Sequence, residues 1–266
     1  MDLQLNGKRA LVTGSSSGLG EATVRALAAE GVAVVVHGRD ERRSHAVAAS
    51  IRANGGKADV AIGDLTGDEG ADAVVSAALA GGPVDILVNN AGSYKHLSWA
   101  DATPETWRDT YEGNVVSGVR MIQRLVPLMR ERGWGRVITI GGGLAVQPMY
   151  QHPQYNATLA ARHNLEVSLA RELRGTGVTS NVVAPGAILV DAVRDLLTEI
   201  APAHGWGETW AQIERDATRE LVPNDVERLG RPEEIASAVA FLASPLSGYI
   251  SGAVLRVDGG HIRNVA

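Results

Sequence analysis

The chain has 266 residues, 45% of them apolar and 21% charged, with a formal net charge of −5. That length can bury a large core in one α/β unit or two small ones, and the balance is ordinary for a globular protein. The absence of cysteine excludes disulfides, thiolate nucleophiles and cysteine metal sites; net acidity without a basic run argues against a nucleic-acid partner, and no apolar run approaches the roughly 18 residues of a membrane span.

The N-terminus has no signal-peptide pattern, so a cytoplasmic location is expected. Ala10-Leu11-Val12 reads as a short buried strand, and Thr13-Gly14-Ser15-Ser16-Ser17-Gly18-Leu19-Gly20 follows it as a glycine turn. Glu21 to Glu30 then carries Ala22, Val24, Ala26 and Leu27 at helical spacing and stops at Gly31. A strand, a glycine turn and a helix start let backbone come close to a pyrophosphate, and the free N–H groups of the helix N-terminus favour the anion. Glycine turns also occur simply as turns, so the rest of the chain has to decide.

Short β-branched runs alternate with helical stretches from there on, the pattern of βαβ units around a parallel sheet. Strands are expected at 32–36, 58–62, 85–88, 137–140, 178–183 and 254–257, about seven with the first. Helices are expected at about 42–53, 69–80, 155–174 and 232–243. Thr103-Pro104 is a cap and a first-turn proline, opening a long helix toward Arg130 in which Pro127 should kink or shift the last turns. No internal repeat or linker divides the chain, so 1–266 reads as one doubly wound domain. The stretch 190–222, with Trp206 and Trp210, Gly205 and Gly207, and Pro202, fits less well. It reads either as a lid beyond the carboxyl ends of the strands or as a surface helical hairpin with its own core.

The exit of the second strand reads His37-Gly38-Arg39-Asp40. In dinucleotide folds an acid here bonds the ribose 2′-hydroxyl, and an arginine accommodates a 2′-phosphate. Gly38 stands where the acid would be and Arg39 follows, which favours NADP(H). Asp40 is the competing acid, set one residue late.

With these pieces the chain resembles the short-chain dehydrogenase/reductase family. The matching residues are the glycine turn at 13–20, Asp64-Leu65, Asn89-Asn90-Ala91-Gly92, Asn114, Tyr155-Asn156-Ala157 and Pro185-Gly186. The closing run from Arg228-Leu229-Gly230-Arg231-Pro232 to Val257-Asp258-Gly259-Gly260 also matches, so the likeness spans essentially the full length. It implies an α/β Rossmann-like fold and a cofactor site. Gly14, Ser16, Ser17, Gly18, Leu19 and Gly20 would hold the pyrophosphate and adenosine ribose, with Arg39 at the 2′-phosphate and Asp64 and Leu65 facing the adenine. Asn90, Ala91 and Gly92 would line the nicotinamide ribose, and Pro185, Gly186 and Ile188 would flank the nicotinamide. Tyr155 would be the acid/base, with Asn114 beside it. The resemblance also implies a small-molecule substrate, no membrane partner, and a homodimer or homotetramer formed through the long helices near 104–130 and 155–174.

Three departures stand against that pattern. Where the family has lysine four residues after the tyrosine, this chain has Leu159; where it has serine thirteen residues before, it has Gly142; where a threonine follows Pro-Gly, it has Val190. A free tyrosine has a pKa of about 10, and a neighbouring cation favours its phenolate. Leu159 supplies no charge, and Gly142 no hydroxyl to polarise a carbonyl; a positioned acid or base contributes roughly 10²–10⁴ in rate. His152, three residues before Tyr155, is the candidate replacement, with His163 and Tyr150 nearby. Gly141-Gly142-Gly143 reads as room for a bulky substrate, as a backbone cradle for an oxyanion, or as a plain turn. The leading expectation is an NADP(H)-linked oxidoreductase of carbonyls or alcohols with a reduced catalytic set. The alternatives are a dehydratase, isomerase or cyclase on the same scaffold, and a catalytically silent binding protein.

Overall fold

The β-branched runs become strands because both of their faces are covered, and alternate residues feed two separate cores. The computed structural model describes residues 1–94 and 97–264. Its strands are β1 (Arg9–Val12), β2 (Ala33–Gly38), β3 (Lys57–Ile62), β4 (Ile86–Asn89), β5 (Gly135–Ile140), β6 (Val178–Pro185) and β7 (Val254–Val257). They form one seven-stranded sheet in the order β3-β2-β1-β4-β5-β6-β7, and every pairing between them is parallel. The doubly wound sheet expected from the sequence is therefore present. Ala10, Val12, Val34, Val36, Ile86 and Val88 face one core, and Leu11, Val35 and Leu87 face the other.

The helices α1 (Gly18–Ala29), α2 (Glu41–Ala53) and α3 (Asp68–Ala80) follow the first three strands. The long helix expected after Thr103 is α4 (Pro104–Tyr111), a π turn (Glu112–Val116) and α5 (Ser117–Glu131), running on through Pro127. Then come α6 (Pro153–Glu172), α7 (Asp191–His204), α8 (Trp210–Leu221) and α9 (Pro232–Ala243). The segment 190–222 is thus a helical hairpin with its own small core of Leu197, Ala201, Trp206, Ile213, Ala217 and Leu229. Its buried Trp206 donates its indole N–H to Glu220. Among the described residues no helix is long and apolar enough to cross a membrane.

Because β1 lies between β2 and β4, the chain reverses its winding there. The crevice at such a switch point, beyond the carboxyl ends of the strands, is where open α/β sheets bind ligands. The turn 13–17 and the segment 90–94 both lie at that end.

Candidate active site

The glycine turn is held from two sides. His37, at the end of β2, accepts the Gly14 N–H at Nδ1 (2.9 Å) and lies 3.2 Å from the Gly63 carbonyl at Nε2. Those partners put its single proton on Nε2, and burial, the largest influence on it, lowers its pKa and keeps the ring neutral. Asn90 donates from Nδ2 to the carbonyls of Thr13 and Gly14, and the Thr13 hydroxyl accepts the N–H groups of Asn90 and Ala91. Gly14 and Gly18 have φ of +65° and +55°, and a Cβ on Gly20 would collide with the Gly14 carbonyl oxygen. Ser17, the N-cap of α1, makes no side-chain bond to the helix, so the first amides of α1 have no side chain capping them. The cradle therefore fits a dinucleotide pyrophosphate.

At the end of β2 a Cβ on Gly38 would lie 2.7 Å from the hydroxyls of Ser16 and Ser44, leaving no room for an acidic side chain. Asp40 accepts the Arg43 N–H (3.0 Å) as the N-cap of α2, which commits it to the helix rather than to a ribose. The Arg39 side chain is 77% exposed and its Nη1 lies 3.8 Å from Asp64. Asp64 accepts the backbone and hydroxyl of Thr66, which hold its carboxyl below its ordinary value. Leu65 departs from its expected role: its side chain is buried in the core, so only its backbone is left to meet an adenine. Gly186 donates its N–H to Val257 (3.1 Å), Ile188 pairs with Gly230, and Val190 lies over the turn with its Cγ1 3.7 Å from a Cβ on Gly18.

The floor of the crevice holds the residue that the sequence reading missed. Arg162 lies seven positions, about two turns, beyond Tyr155 on α6 and is buried. Its guanidinium donates to the backbone carbonyls of Asn114, Ile140 and Ala91, joining the π turn, β5 and the segment after β4. Gly92 makes that approach feasible, since a Cβ there would lie 2.9 Å from Arg162 Nη2. Asn114 is buried on the π turn; its Oδ1 accepts the Ser93 N–H (2.7 Å) and its Nδ2 donates to the Ser93 carbonyl and the Thr158 hydroxyl. Wide turns of this kind recur at functional sites. Tyr155 stands half-buried above this floor. Burial pushes its phenol above the ordinary value, and the Arg162 charge pulls it back down. Arg162 thus places a buried charge one helical turn beyond Leu159 on the same helix.

One turn beyond Arg162, the Glu166 carboxylate accepts the hydroxyls of Thr139 and Ser180. Burial pushes this carboxyl up to about 7 despite Arg162.

Gly142 and Leu159 face each other, as the two replaced positions should. A Cβ on Gly142 would lie 3.0 Å from Leu159 Cδ1. A Cβ on Gly141 would strike the His163 ring, and one on Gly143 would lie 2.9 Å from Ile262 Cδ1. The expectation that these glycines make room for a bulky substrate is therefore corrected: Leu159, His163 and Ile262 fill the space. The cradle reading fails at Gly142, whose N–H points to His163 Nε2 at 3.4 Å. His163 packs against this turn. His152 is buried, and its Nε2 lies 2.8 Å from the hydroxyl of Tyr94, on the loop after β4. The ring centroids of Tyr94 and Tyr155 are 5.1 Å apart, edge to face at 88°. Three rings thus line one wall.

The family model for short chain dehydrogenases matches residues 8–201, and the chain belongs to that family. An uncharacterised oxidoreductase of Bacillus subtilis is 39% identical over 268 residues, covering 100% of both chains. The crystal structure of L-sorbose reductase from Gluconobacter frateurii, complexed with NADPH and L-sorbose, has a TM-score of 0.93 at 34% identity over 100% of both chains. An NADPH-bound short chain oxidoreductase of Pseudomonas aeruginosa, described as containing an atypical catalytic center, has a TM-score of 0.89 at 31% identity, covering 97% of this chain and 98% of its own.

Proposed function

We propose that this chain is an NADP(H)-dependent oxidoreductase of small carbonyl or alcohol compounds, in which Arg162 does for Tyr155 what the family's lysine does elsewhere. The observation that carries it is the buried guanidinium beneath Tyr155, fixed by three backbone carbonyls. A cation held so firmly has little freedom to move, and in a dry site its field on the phenol is weakly screened. NADPH-bound relatives of the same shape support the cofactor, and the crowding that bars an acidic side chain at Gly38, together with the exposed Arg39, favours its 2′-phosphate. The α1 N-terminus, Ser16 and Ser17 would hold the pyrophosphate, and Asn90, Ala91, Gly92, Pro185, Gly186 and Ile188 would border the nicotinamide. When bound, that ring supplies the hydride.

The protein's own part is proton chemistry and positioning. Tyr155 donates its phenolic proton to the substrate oxygen during reduction, and Arg162 stabilises the phenolate left behind. Arginine keeps its proton throughout, so it acts by charge and is not itself an acid or base. Asn114 fixes the π turn whose carbonyl holds Arg162. The α7–α8 hairpin would close over the substrate. The outer faces of α5 and α6 would meet a second copy in a homodimer or homotetramer, and the cytoplasm is the compartment that suits the chain.

The test is NADPH oxidation with a panel of ketoses and small ketones. Substrate-dependent turnover that falls by at least ~10²-fold in Tyr155→Phe is expected. Product formation without net NADPH loss would point instead to the non-redox class.

A further inference from the structure

With glycine at 142, the cleft lacks the hydroxyl that would hold a substrate oxygen beside Tyr155. A second phenol stands on the same wall. Tyr94 presents its ring to Tyr155 edge to face, with centroids 5.1 Å apart. Its hydroxyl lies 2.8 Å from His152 Nε2, and the Tyr94 and His152 rings are 4.8 Å apart. His152 is buried, whereas Tyr94 is 55% exposed. The histidine is therefore an anchor inside the protein, and the tyrosine is what reaches the cleft.

We propose that Tyr94 is a catalytic residue of this chain: its hydroxyl, oriented by His152, donates the second hydrogen bond to the substrate oxygen. The role rests on the oxidoreductase reading above. A phenol carries one proton and can accept as well as donate. When His152 holds a proton on Nε2 and donates it to the Tyr94 oxygen, the Tyr94 proton is left to point into the cleft. Tyr94 also stays protonated, because burial first and the neighbouring Tyr155 second push its phenol up to about 12. The two phenols then divide the work. The proton that ends on the product oxygen comes from Tyr155, which has Arg162 behind it. Tyr94 keeps its own proton and stabilises the negative charge that develops on the oxygen as the carbonyl is reduced. His152 is a positioning residue, acting through Tyr94.

The experiment compares wild type, Tyr94→Phe and His152→Gln in NADPH oxidation, using the ketose or ketone of the panel that wild type reduces fastest. NADPH binding by calorimetry reports on folding. Removing one donor to a developing oxyanion lowers kcat by about 10²–10³-fold. That loss is expected for Tyr94→Phe, with NADPH affinity and the KM for the ketone little changed. His152→Gln should cost less, with the KM for the ketone unchanged, and should cost nothing further in a Tyr94→Phe background, because His152 acts through Tyr94. Wild-type kcat in Tyr94→Phe, or a raised KM alone, overturns the role of Tyr94 and leaves the oxidoreductase reading intact. Wild-type kcat in His152→Gln, or an equal further loss when it is added to Tyr94→Phe, overturns the positioning by His152. If wild type oxidises NADPH with no member of the panel, the oxidoreductase reading falls first and the role of Tyr94 with it.

Discussion

Glu166 offers a thermodynamic test of the buried charges beneath the site. Its carboxyl accepts two hydroxyls, from Thr139 and Ser180, and stands one helical turn from Arg162. Burial nevertheless raises it from an ordinary 4.5 to about 7. The attraction of Arg162 is already contained in that value. A carboxyl whose pKa is higher in the folded chain ionises more readily when unfolded. The folded state therefore loses stability as pH rises through the window from 4.5 to about 7, and the loss is complete above it. The gap corresponds to about 3 kcal/mol. Glu166→Gln removes the ionisation while keeping one acceptor and adding a donor that Ser180 or Thr139 can receive. It should be more stable than wild type at about pH 8 by up to ~3 kcal/mol, and the advantage should vanish near pH 4.5. Urea unfolding followed by tryptophan fluorescence, at about pH 5 and about pH 8, measures the difference. A variant destabilised equally at both values would show that Glu166 is a firmly ionised partner of Arg162, and the reasoning would be refuted.

Arg39→Ala should weaken NADPH binding by about 10–100-fold, the worth of one charge-assisted hydrogen bond, and leave NADH unchanged in the same calorimeter. Equal losses for both nucleotides would remove Arg39 from the 2′-phosphate. Gly142→Ser should destabilise the chain by about 1–3 kcal/mol, because its Cβ would crowd Leu159 Cδ1 at 3.0 Å. In a double-mutant cycle with Leu159→Ala the two changes should couple by about 1 kcal/mol, measured by denaturant unfolding, whereas strict additivity would contradict the facing geometry.

Strands such as that at Val32 to Val36 were legible because their residues are apolar on both faces, whereas the one at Val178 to Val183, which buries Thr179, Ser180 and Asn181, was legible from its β-branched residues. β2 runs on to Gly38 and β6 to Pro185 because pairing with the neighbouring strands continues past the β-branched runs. The hairpin at 190–222 was ambiguous because Trp206 and the glycines read as irregular until Leu197, Ile213 and Leu229 are seen around them. Arg162 was missed for a physical reason. The inward face of α6 is largely polar, with Gln154, Asn156, Thr158, Arg162 and Glu166 all buried, so hydropathy points the wrong way. The available signal was spacing: Tyr155, Leu159, Arg162 and Glu166 recur every three or four residues, along one helical face. Tyr94 gave no such signal, since only the fold brings the loop after β4 against His152.

The central claim is that Arg162 supplies the charge Tyr155 needs, and the ionisation of that one phenol measures it most directly. Ultraviolet titration of wild type minus Tyr155→Phe isolates Tyr155, and the same difference taken in an Arg162→Met background isolates the influence of Arg162, with circular dichroism confirming the fold. The phenol should titrate at a higher pH without Arg162, and reductase activity should fall with it. A Tyr155 that titrates at the same pH with and without the guanidinium, in a folded protein, would contradict the claim.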